Sequence, residues 1–427
     1  MMKPPTCLLF ASILLVSHSV HANDWPGWRG PEGDGKLPTS AKYPTQWGAK
    51  ENIQWKVELP SPGNSSPIVV GQNLFLTLSE EKGHQRSLLC INPVDGAIRW
   101  KKTVTFNGDE ITHKTNPWSA ASPISDGNTI YAWHGNAGLY AYDFEGTELW
   151  HRDLGSDYAH QWGPNAASPV VHGDNLIVHA GPGTKAVLFC LNRKTGQTVW
   201  EKSLPEAKSE GIKDFKGSWA TPLLVNNQGR SEMLIPLPQS LRSFDPATGQ
   251  EWWRCGGLSD LCYTNAMTGE SHILTLCGYG GPAIGLKRPS PNDTGDLTKS
   301  HRLWIVGGNE GKKKVNPQRI GSGQIIDGYL YLLNEPGAAE CIDVATGVSQ
   351  WKERLGRISW SSMSYLGGKL YVNDQGATTY ILDPDPTSMK VIATNAIGGN
   401  HHTNSSLAFA DGVIYLRTES HLLAIGE

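Results

Sequence analysis

Short apolar runs separated by turn residues recur along the chain, and residues 167–204 show the pattern clearly. Three apolar runs there are separated by turn residues, the first of them ending at the His-Gly-Asp-Asn turn of residues 172–175. The turn at residues 192–196 then leads into a fourth run, which carries Trp200. Runs of this length bounded by Gly, Asn and Asp predict short antiparallel strands joined by tight turns. Residues 167–204 therefore predict one four-stranded antiparallel sheet.

The pattern repeats with a period near 50 residues. A Gly is followed four residues later by a Trp, with Asp or Asn three or four residues before the Gly, at Trp100, Trp150, Trp200, Trp253 and Trp351. The intervals of 50, 50, 53 and 98 residues indicate a modular architecture, with a last interval of nearly two periods. Gly provides the positive φ of a tight turn, and Trp provides a surface too large for one small sheet to cover. We therefore expect a set of structural tryptophans packed between neighbouring sheets: Trp55, Trp100, Trp150, Trp200, Trp253, Trp304 and Trp351.

A second signature marks the first strand of each unit. Eight such starts occur, the first four as Ser-Pro or Thr-Pro and the last four as weaker versions: Ser66, Ser122, Ser168, Thr221, Ala266, Ser322, Ser362 and Ser406. Pro at the start of a strand suits an innermost strand that faces a channel. Only three strands follow Ser406, and residues 52–59 supply the missing fourth. The sequence thus predicts an all-β fold, an eight-bladed β-propeller of four-stranded antiparallel blades, closed by pairing of the N-terminal strand with the C-terminal blade.

The Ala-Ser-Pro strand, the Asp-x-x-Thr-Gly-x-x-x-Trp turn and the eightfold count resemble the PQQ-like β-propeller repeat of the quinoprotein type. The resemblance covers residues 53–427, and the Trp-, Gly- and Pro-rich segment 23–52 resembles the leader of secreted members through Asp24 to Pro31. The resemblance implies the propeller fold. It leaves the function open, because the repeat occurs in quinone-dependent dehydrogenases, in BamB-type assembly lipoproteins of the outer membrane and in secreted proteins with no assigned role.

Residues 1–22 resemble a signal peptide, with Lys3 before an apolar run at residues 8–16 and a small-residue cleavage pattern ending at Ala22. The run is too short to span a membrane, so we expect no membrane span. Cys7 precedes the run, and no Cys follows the predicted cut directly, which argues against a lipid anchor. With 37 basic and 40 acidic residues the net charge of −3 does not indicate a nucleic-acid partner. We expect a periplasmic or secreted monomer.

The seven cysteines do not form an obvious disulfide framework. Cys90, Cys190 and Cys341 occupy the same place in the third strand of three different blades, so we interpret them as core residues that lie too far apart to bridge. Cys255 and Cys262 bracket residues 256–261, and this spacing allows a loop-closing disulfide. Cys277 could compete for Cys262.

The two faces of the predicted propeller differ in loop length. Turns between strands one and two and between strands three and four are tight and lie on one face. The opposite face carries the long blade connections, including residues 105–118, 155–165, 205–219 and 308–321, and function concentrates in such loops. Aromatic, amide and basic side chains there form the predicted ligand site: Trp118, Trp162, Trp219, Tyr263, Arg319, Arg357, Trp360, His401, His402 and Asn404, with the amides Asn64, Asn116, Asn165 and Asn265. The alternative is that these tryptophans plug the channel or stiffen blade junctions.

We predict no metal site, no cofactor and no catalytic residue. The adjacent His401 and His402 are expected to point to opposite sides of an extended segment, so they do not chelate a metal together. We interpret Lys312 to Lys314 as a solvated charge run, with contact to an anionic partner as the alternative. The predicted function is a secreted, non-catalytic binding protein for a small molecule, a carbohydrate, a peptide or a protein. One alternative is a PQQ-dependent dehydrogenase, which would need PQQ, a general base and calcium held by Glu, Asn and Asp. The other is a BamB-like assembly factor.

Overall fold

A computed structural model of the chain describes residues 24–211, 213–307 and 320–427. The predicted signal peptide, Lys312 to Lys314 and Arg319 lie outside the described residues. Within the described ranges, no helix is both long enough and apolar enough to span a membrane.

Eight four-stranded antiparallel sheets form an eight-bladed β-propeller, which confirms the predicted fold. The strands of blades 1 to 4 are Ile68–Val70, Asn73–Glu80, Gln85–Ile91 and Ile98–Thr105; Ile124–Ser125, Ile130–Trp133, Leu139–Tyr142 and Glu148–Arg152; Val170–His172, Asn175–Ala180, Val187–Asn192 and Thr198–Ser203; Leu223–Asn227, Arg230–Leu237, Ser240–Phe244 and Glu251–Gly256. The strands of blades 5 to 8 are Met267–Thr268, His272–Leu276, Ala283–Lys287 and Arg302–Val306; Gln324–Ile326, Tyr329–Asn334, Ala338–Asp343 and Ser349–Arg354; Ser364–Leu366, Lys369–Asn373, Thr378–Asp383 and Lys390–Ala396; Ala408–Ala410, Val413–Arg417, His421–Ile425 and Ile53–Glu58.

The remaining elements are short. Two-residue strand pairs are Ala159–His160 with Gly163–Pro164 and Gly217–Ser218 with Leu261–Cys262, and Gly295–Asp296 pairs with the outer strand of blade 4. One short α-helix is Thr298–His301, and the 3₁₀ turns are Glu81–Gly83, Gly135–Ala137 and Pro205–Ala207. The insert of residues 288–301 separates the third and fourth strands of blade 5. This insert explains the nearly doubled interval before Trp351, because it replaces the tight turn that would precede Trp304.

The propeller closes through its N-terminal strand, as predicted. Ile53–Glu58 pairs antiparallel with His421–Ile425, with Trp55 opposite Ala424 and Glu58 opposite His421. Closure gives blade 8 its fourth strand, so that His421–Ile425 is not left as an exposed sheet edge open to aggregation.

The glycine of each Gly-Trp turn packs on the tryptophan of the preceding blade, which explains why a residue without a side chain stands there. A Cβ added at Gly196 would lie 2.7 Å from the Trp150 ring, and one at Gly249 would lie 2.8 Å from the Trp200 ring. The indole N–H of Trp200 donates to the Pro246 carbonyl at 3.3 Å in that same neighbouring turn. Six of the predicted tryptophans donate to a backbone carbonyl of the next blade in this way: Trp55, Trp100, Trp150, Trp200, Trp304 and Trp351.

Trp253 is the exception among the predicted structural tryptophans. Its ring is fully buried, but its indole N–H donates to the Glu232 carboxylate of its own blade at 2.9 Å. The difference follows from the insert in blade 5, which removes the tight turn whose carbonyl the other tryptophans use.

A closed ring of eight hydrogen bonds joins the innermost strands. In each blade a backbone N–H donates to a side-chain oxygen of the next blade, at 2.8–3.2 Å. The members, in order, are Ser66, Ser122, Ser168, Thr221, Asn265, Ser322, Ser362 and Ser406, and the last returns to Ser66. We call this set the hydroxyl ring. In blade 5 the equivalent position is Asn265 and not Ala266, which corrects the predicted strand start by one residue, because an acceptor side chain is needed there.

The N-terminal segment crosses the face that carries the tight turns. Trp25 is fully buried and pairs with Val69 of blade 1 through bonds of 2.8 and 2.9 Å. On the far side of the axis the Arg29 guanidinium donates to the Gly323 carbonyl at 3.1 Å, and the Leu37 N–H donates to the Tyr365 carbonyl at 3.0 Å. The segment therefore ties blade 1 to blades 6 and 7 across the channel.

The cysteines that the structure describes are all buried. Cys90, Cys190 and Cys341 lie in third strands directly opposite Trp100, Trp200 and Trp351, and burial raises the pKa of each thiol to about 12. Cys255 and Cys262 are free thiols, in contrast to the predicted pairing. The Cys255 thiol lies against the Gly256 carbonyl at 3.9 Å, whereas Cys262 interacts with Cys277.

Candidate functional site

The central channel contains a cavity of about 400 Å³, which we call the cup. Aromatic rings, amides and hydroxyls make up most of its lining: Trp28, Asn64, Ser66, His113, Thr115, Asn116, Ala120, Ser122, Trp162, Ala166, Ser168, Trp219, Thr221, Tyr263, Asn265, Tyr279, Ile320, Trp360, Ser362, Asn404 and Ser406. These residues come from blade connections on the loop-rich face and from the starts of the innermost strands. Side chains from many blades thus converge on one space around the axis.

The floor of the cup is Trp28, which reaches the axis from the N-terminal segment. Trp28 lines the cup together with members of the hydroxyl ring, and its neighbour Arg29 is held by the carbonyl of Gly323, which follows ring residue Ser322. The cup therefore opens on the loop-rich face and ends at this segment. Sequence analysis assigned the segment no part in the site. The sequence feature that could have indicated this role is the occurrence of two tryptophans beside two glycines, at residues 25–30, shortly before the first blade.

The wall of the cup is aromatic. The rings of Trp219 and Tyr263 lie 5.2 Å apart, and Trp162 packs edge-on against His113 at 5.1 Å. Near the rim, Trp162 also contacts Phe215 at 6.1 Å and Tyr279 at 6.2 Å. Aromatic faces of this kind provide flat apolar surface with polar groups at their edges.

Five of the predicted site residues line the cup: Trp162, Trp219, Tyr263, Trp360 and Asn404. The predicted amides Asn64, Asn116 and Asn265 line it as well, while Asn165 supports the wall by accepting the Trp133 indole N–H at 2.9 Å. The connections singled out in the sequence therefore supply most of the wall.

Trp118 lies outside the cup and holds its connection in place. Its indole N–H donates to the Glu110 carbonyl at 3.1 Å, and its ring covers Gly83. The Glu110 carboxylate forms a buried ion pair with Arg86 at 2.5 Å. Trp118 thus takes the structural role that was the alternative interpretation.

Arg357, His401 and His402 also lie outside the cup. The Arg357 N–H donates to the Asp374 carboxylate at 3.0 Å. His401 lies 3.2 Å from the Lys56 ammonium group, and His402 lies 3.0 Å from the Glu419 carboxylate. Their place on the outer part of this face follows from the strand pairing of blades 7 and 8.

Sequence analysis missed His113 and Tyr279, which both line the cup. His113 lies in the long connection 105–118, and burial followed by the charge of Lys114 lowers its pKa. Tyr279 lies between the second and third strands of blade 5, on a loop of the same face and not in a blade-to-blade connection. The glycines on either side of Tyr279, Gly278 and Gly280, are the sequence feature that could have indicated a functional loop.

The described lining of the cup is uncharged at neutral pH. It contains no Asp, Glu, Lys or Arg, and the lowered pKa of His113 favours the neutral imidazole. Burial raises the pKa of Tyr263 and favours its neutral phenol. Glu335 lies close behind the wall beside Trp360, and burial raises the pKa of its carboxyl group.

The donor set that the described residues supply to the cup does not fit PQQ with calcium. The carboxylates of PQQ call for cationic partners, and the described lining offers none. The described ranges also contain no group of three or more His, Cys, Asp or Glu side chains that could hold a metal ion. The amide and hydroxyl groups fit hydrogen bonding to an uncharged ligand instead.

Comparison with known proteins gives the same fold. Residues 48–230 match the family model described as outer membrane protein assembly factor BamB. BamB from Moraxella catarrhalis has a similar structure, with a TM-score of 0.60, 13% identity and coverage of 88% of this chain and 99% of that chain. Quinohemoprotein alcohol dehydrogenase from Comamonas testosteroni has a TM-score of 0.62, 12% identity and coverage of 95% and 81%.

Tetrathionate hydrolase from Acidithiobacillus ferrooxidans is 22% identical over 202 residues, which are 44% of this chain and 39% of that enzyme. The chain therefore matches well under half the length of this relative. At such identities the structural likeness concerns the fold alone. The repeat motif, the eight closed blades and these matches show that the chain has a β-propeller fold built from PQQ-like repeats.

Proposed function

We propose that the protein is a non-catalytic binding protein that takes an uncharged ligand with a flat apolar face, such as a sugar ring, into the cup. The observation that carries this proposal is a blind, aromatic-walled cavity whose described lining has amides and hydroxyls but no charged side chain. Its volume of about 400 Å³ falls within the range of about 300–1,000 Å³ that is usual for small-molecule sites.

The chemistry of the wall suits a carbohydrate. The faces of Trp162, Trp219 and Tyr263 can stack on the C–H faces of a sugar ring. Amides such as Asn116 and Asn404 both donate and accept hydrogen bonds, which is what sugar hydroxyls require. An anionic ligand would lose its hydration without gaining a cationic partner from the described lining, and this cost disfavours it.

The hydrogen bonding of the indole N–H groups supports a role for the cup tryptophans in binding a ligand and not in joining neighbouring blades. The blade tryptophans donate their indole N–H to a carbonyl of the next blade, as Trp200 does at 3.3 Å. In Trp162 and Trp219 the indole N–H is buried and has no acceptor among the described residues. These two rings are therefore not fastened to a neighbouring blade by the bond that defines the structural set.

Two alternatives remain as outcomes of the test. PQQ-dependent oxidation would require a carboxylate base and cationic groups, which the described lining of the cup does not contain, and the absence of a cofactor stays a prediction. A BamB-like role in outer-membrane assembly would use the loop-rich face to contact protein. We place the protein in the periplasm or outside the cell, on the basis of the predicted signal peptide.

The test is titration of the purified chain with a panel of neutral oligosaccharides, followed by tryptophan fluorescence and calorimetry. We expect binding by at least one sugar, and we expect Trp162→Ala and Trp219→Ala each to weaken it by about 1 to 3 kcal/mol. Trp351→Phe is the control, because Trp351 lies in an outer strand and should leave the affinity unchanged.

PQQ with calcium and tetrathionate serve as competing probes in the same assay. Substrate-dependent dye reduction that requires both PQQ and calcium would contradict the proposal and favour a dehydrogenase. Consumption of tetrathionate would favour a hydrolase instead. If no oligosaccharide binds and Trp162→Ala destabilises the fold as much as Trp200→Ala, the aromatic wall is packing and the proposal fails.

A further inference from the structure

Two buried thiols lie directly behind the aromatic wall of the cup. Cys262 precedes Tyr263 in the chain, and Cys277 precedes Gly278, the residue over which the Tyr263 ring lies. The approach is so close that a Cβ added at Gly278 would fall 1.8 Å from that ring. Cys262 and Cys277 are both fully buried.

The two chain segments that carry these thiols run side by side. The Gly278 N–H donates to the Leu261 carbonyl at 3.3 Å, and the Thr264 hydroxyl donates to the Leu276 carbonyl at 2.6 Å. These bonds flank the two cysteines on either side. They hold the backbones of residues 261–264 and 276–278 next to each other.

Both sulfur atoms contact the backbone of the same residue, Ser259, which brings them close together. The Ser259 N–H donates to Cys277 Sγ at 3.1 Å, and Cys262 Sγ lies 3.8 Å from the Ser259 carbonyl oxygen. The Cys262 thiol also interacts with the Cys277 thiol. By contrast, Cys190 faces Trp200 across its own blade, and Cys255 contacts the Gly256 carbonyl.

We propose that Cys262 and Cys277 form a reversible disulfide that locks the Tyr263 side of the cup wall. The two thiols lose two protons and two electrons as the S–S bond forms, and an external disulfide, either a small molecule or a disulfide oxidoreductase, accepts them as its own S–S bond breaks to give two thiols. A dithiol reductant reverses the step. The bond forms without any ligand in the cup, and only its effect on binding rests on the proposed function.

Burial controls how this exchange proceeds. Burial raises the pKa of the Cys262 thiol well above its usual value, and only the thiolate attacks a disulfide. The folded protein therefore exchanges through local opening of residues 259–281, so that the bond, once formed, is slow to reduce. Because the link joins residues 262 and 277, it removes conformational freedom from the loop that carries Tyr263 and ends close to Tyr279.

The experiment uses the full chain, incubated with oxidised glutathione or with dithiothreitol and then mapped by mass spectrometry without reduction. We expect the oxidised sample to lose two mass units and to yield one peptide pair joining Cys262 to Cys277. Cys277→Ser should abolish the link, and Cys255→Ser should leave it intact. A pair joining Cys255 to Cys262, or full alkylation of both Cys262 and Cys277 after unfolding of the oxidised sample, would overturn the proposal.

Hydrogen exchange tests the lock independently of any ligand. We expect slower exchange in residues 259–281 of the oxidised form, unchanged exchange in blade 7 and a Tm raised by about 3 °C, as a loop of about 15 residues predicts for a chain of this size. Equal exchange of residues 259–281 in both forms would overturn the lock. Failure of every oligosaccharide to bind would contradict the proposed function but not this inference, since none of these measurements involves a ligand.

Discussion

Replacement of Ser322 by alanine tests the hydroxyl ring, which joins all eight blades around the axis. The Ser322 hydroxyl accepts a hydrogen bond from the Asn265 N–H at 3.0 Å, and Ser322 and Asn265 are only 2% and 1% exposed. Alanine removes the acceptor and leaves the Asn265 N–H buried and unpaired. Ser322 does not line the cup, so the change concerns stability and not the proposed ligand.

The expected loss is the cost of an unsatisfied buried donor, about 1 to 3 kcal/mol of the free energy of unfolding. Ser359→Ala is a matched control, because Ser359 is 1% exposed and its hydroxyl donates to the Asn373 carbonyl at 2.8 Å. That carbonyl keeps a second donor, the Ser361 hydroxyl at 2.7 Å. The control should therefore lose only the net value of one hydrogen bond, about 0.5 to 1.5 kcal/mol.

Urea denaturation, followed by both circular dichroism and tryptophan fluorescence, measures the difference. Coincident transitions establish the two-state analysis that the comparison needs. Ser322→Thr should behave like the unchanged protein, because Thr221 already fills an equivalent place in the ring. If Ser322→Ala costs no more than Ser359→Ala, the ring does not hold the blades together and this reasoning is wrong.

Deletion of residues 24–59 removes the strand that closes blade 8, and we expect aggregation or loss of cooperative unfolding; a deletion variant that stays monomeric with an unchanged Tm contradicts this. Trp200→Ala removes an indole bonded to the Pro246 carbonyl and should lower the free energy of unfolding in urea by about 2 to 4 kcal/mol. Trp162→Ala should lower it by only about 1 to 2 kcal/mol, because the Trp162 indole N–H has no acceptor in the described chain. Equal losses in the two variants would contradict the distinction between blade and cup tryptophans. Burial lowers the pKa of His179 to about 4. As the pH falls from about 6.5 to about 4, His179 therefore takes up a proton in the unfolded state but not in the folded state. The free energy of unfolding should decline over this range by up to about 1.4 kcal/mol per pH unit. His179→Gln should decline less steeply between pH 7 and 4.5, and parallel slopes would refute the assignment.

The repeat could be read from the sequence because each blade uses local rules. The turn of residues 192–196 and the strands beside it depend on Gly, Asn and apolar alternation within one period, and a period of 50 residues leads to a closed stack. Trp304 shows the limit of that pattern. Its blade carries an insert in place of the Gly turn, so its role depended on the count of blades and not on its own motif.

The sequence by itself determined the blade count, the closing strand and the face that carries long connections, since these follow from periodicity and loop length. Only the tertiary structure decided which residues meet at the axis. Trp118 and Trp162 both lie in long connections, yet Trp118 bonds within its loop while Trp162 lines the cup. The cup floor at Trp28 was equally hidden, and the sequence left Cys255 and Cys277 as competing partners of Cys262. Contacts around a closed ring join residues far apart in the chain, and no local pattern encodes which side chains fill the space where eight blades converge.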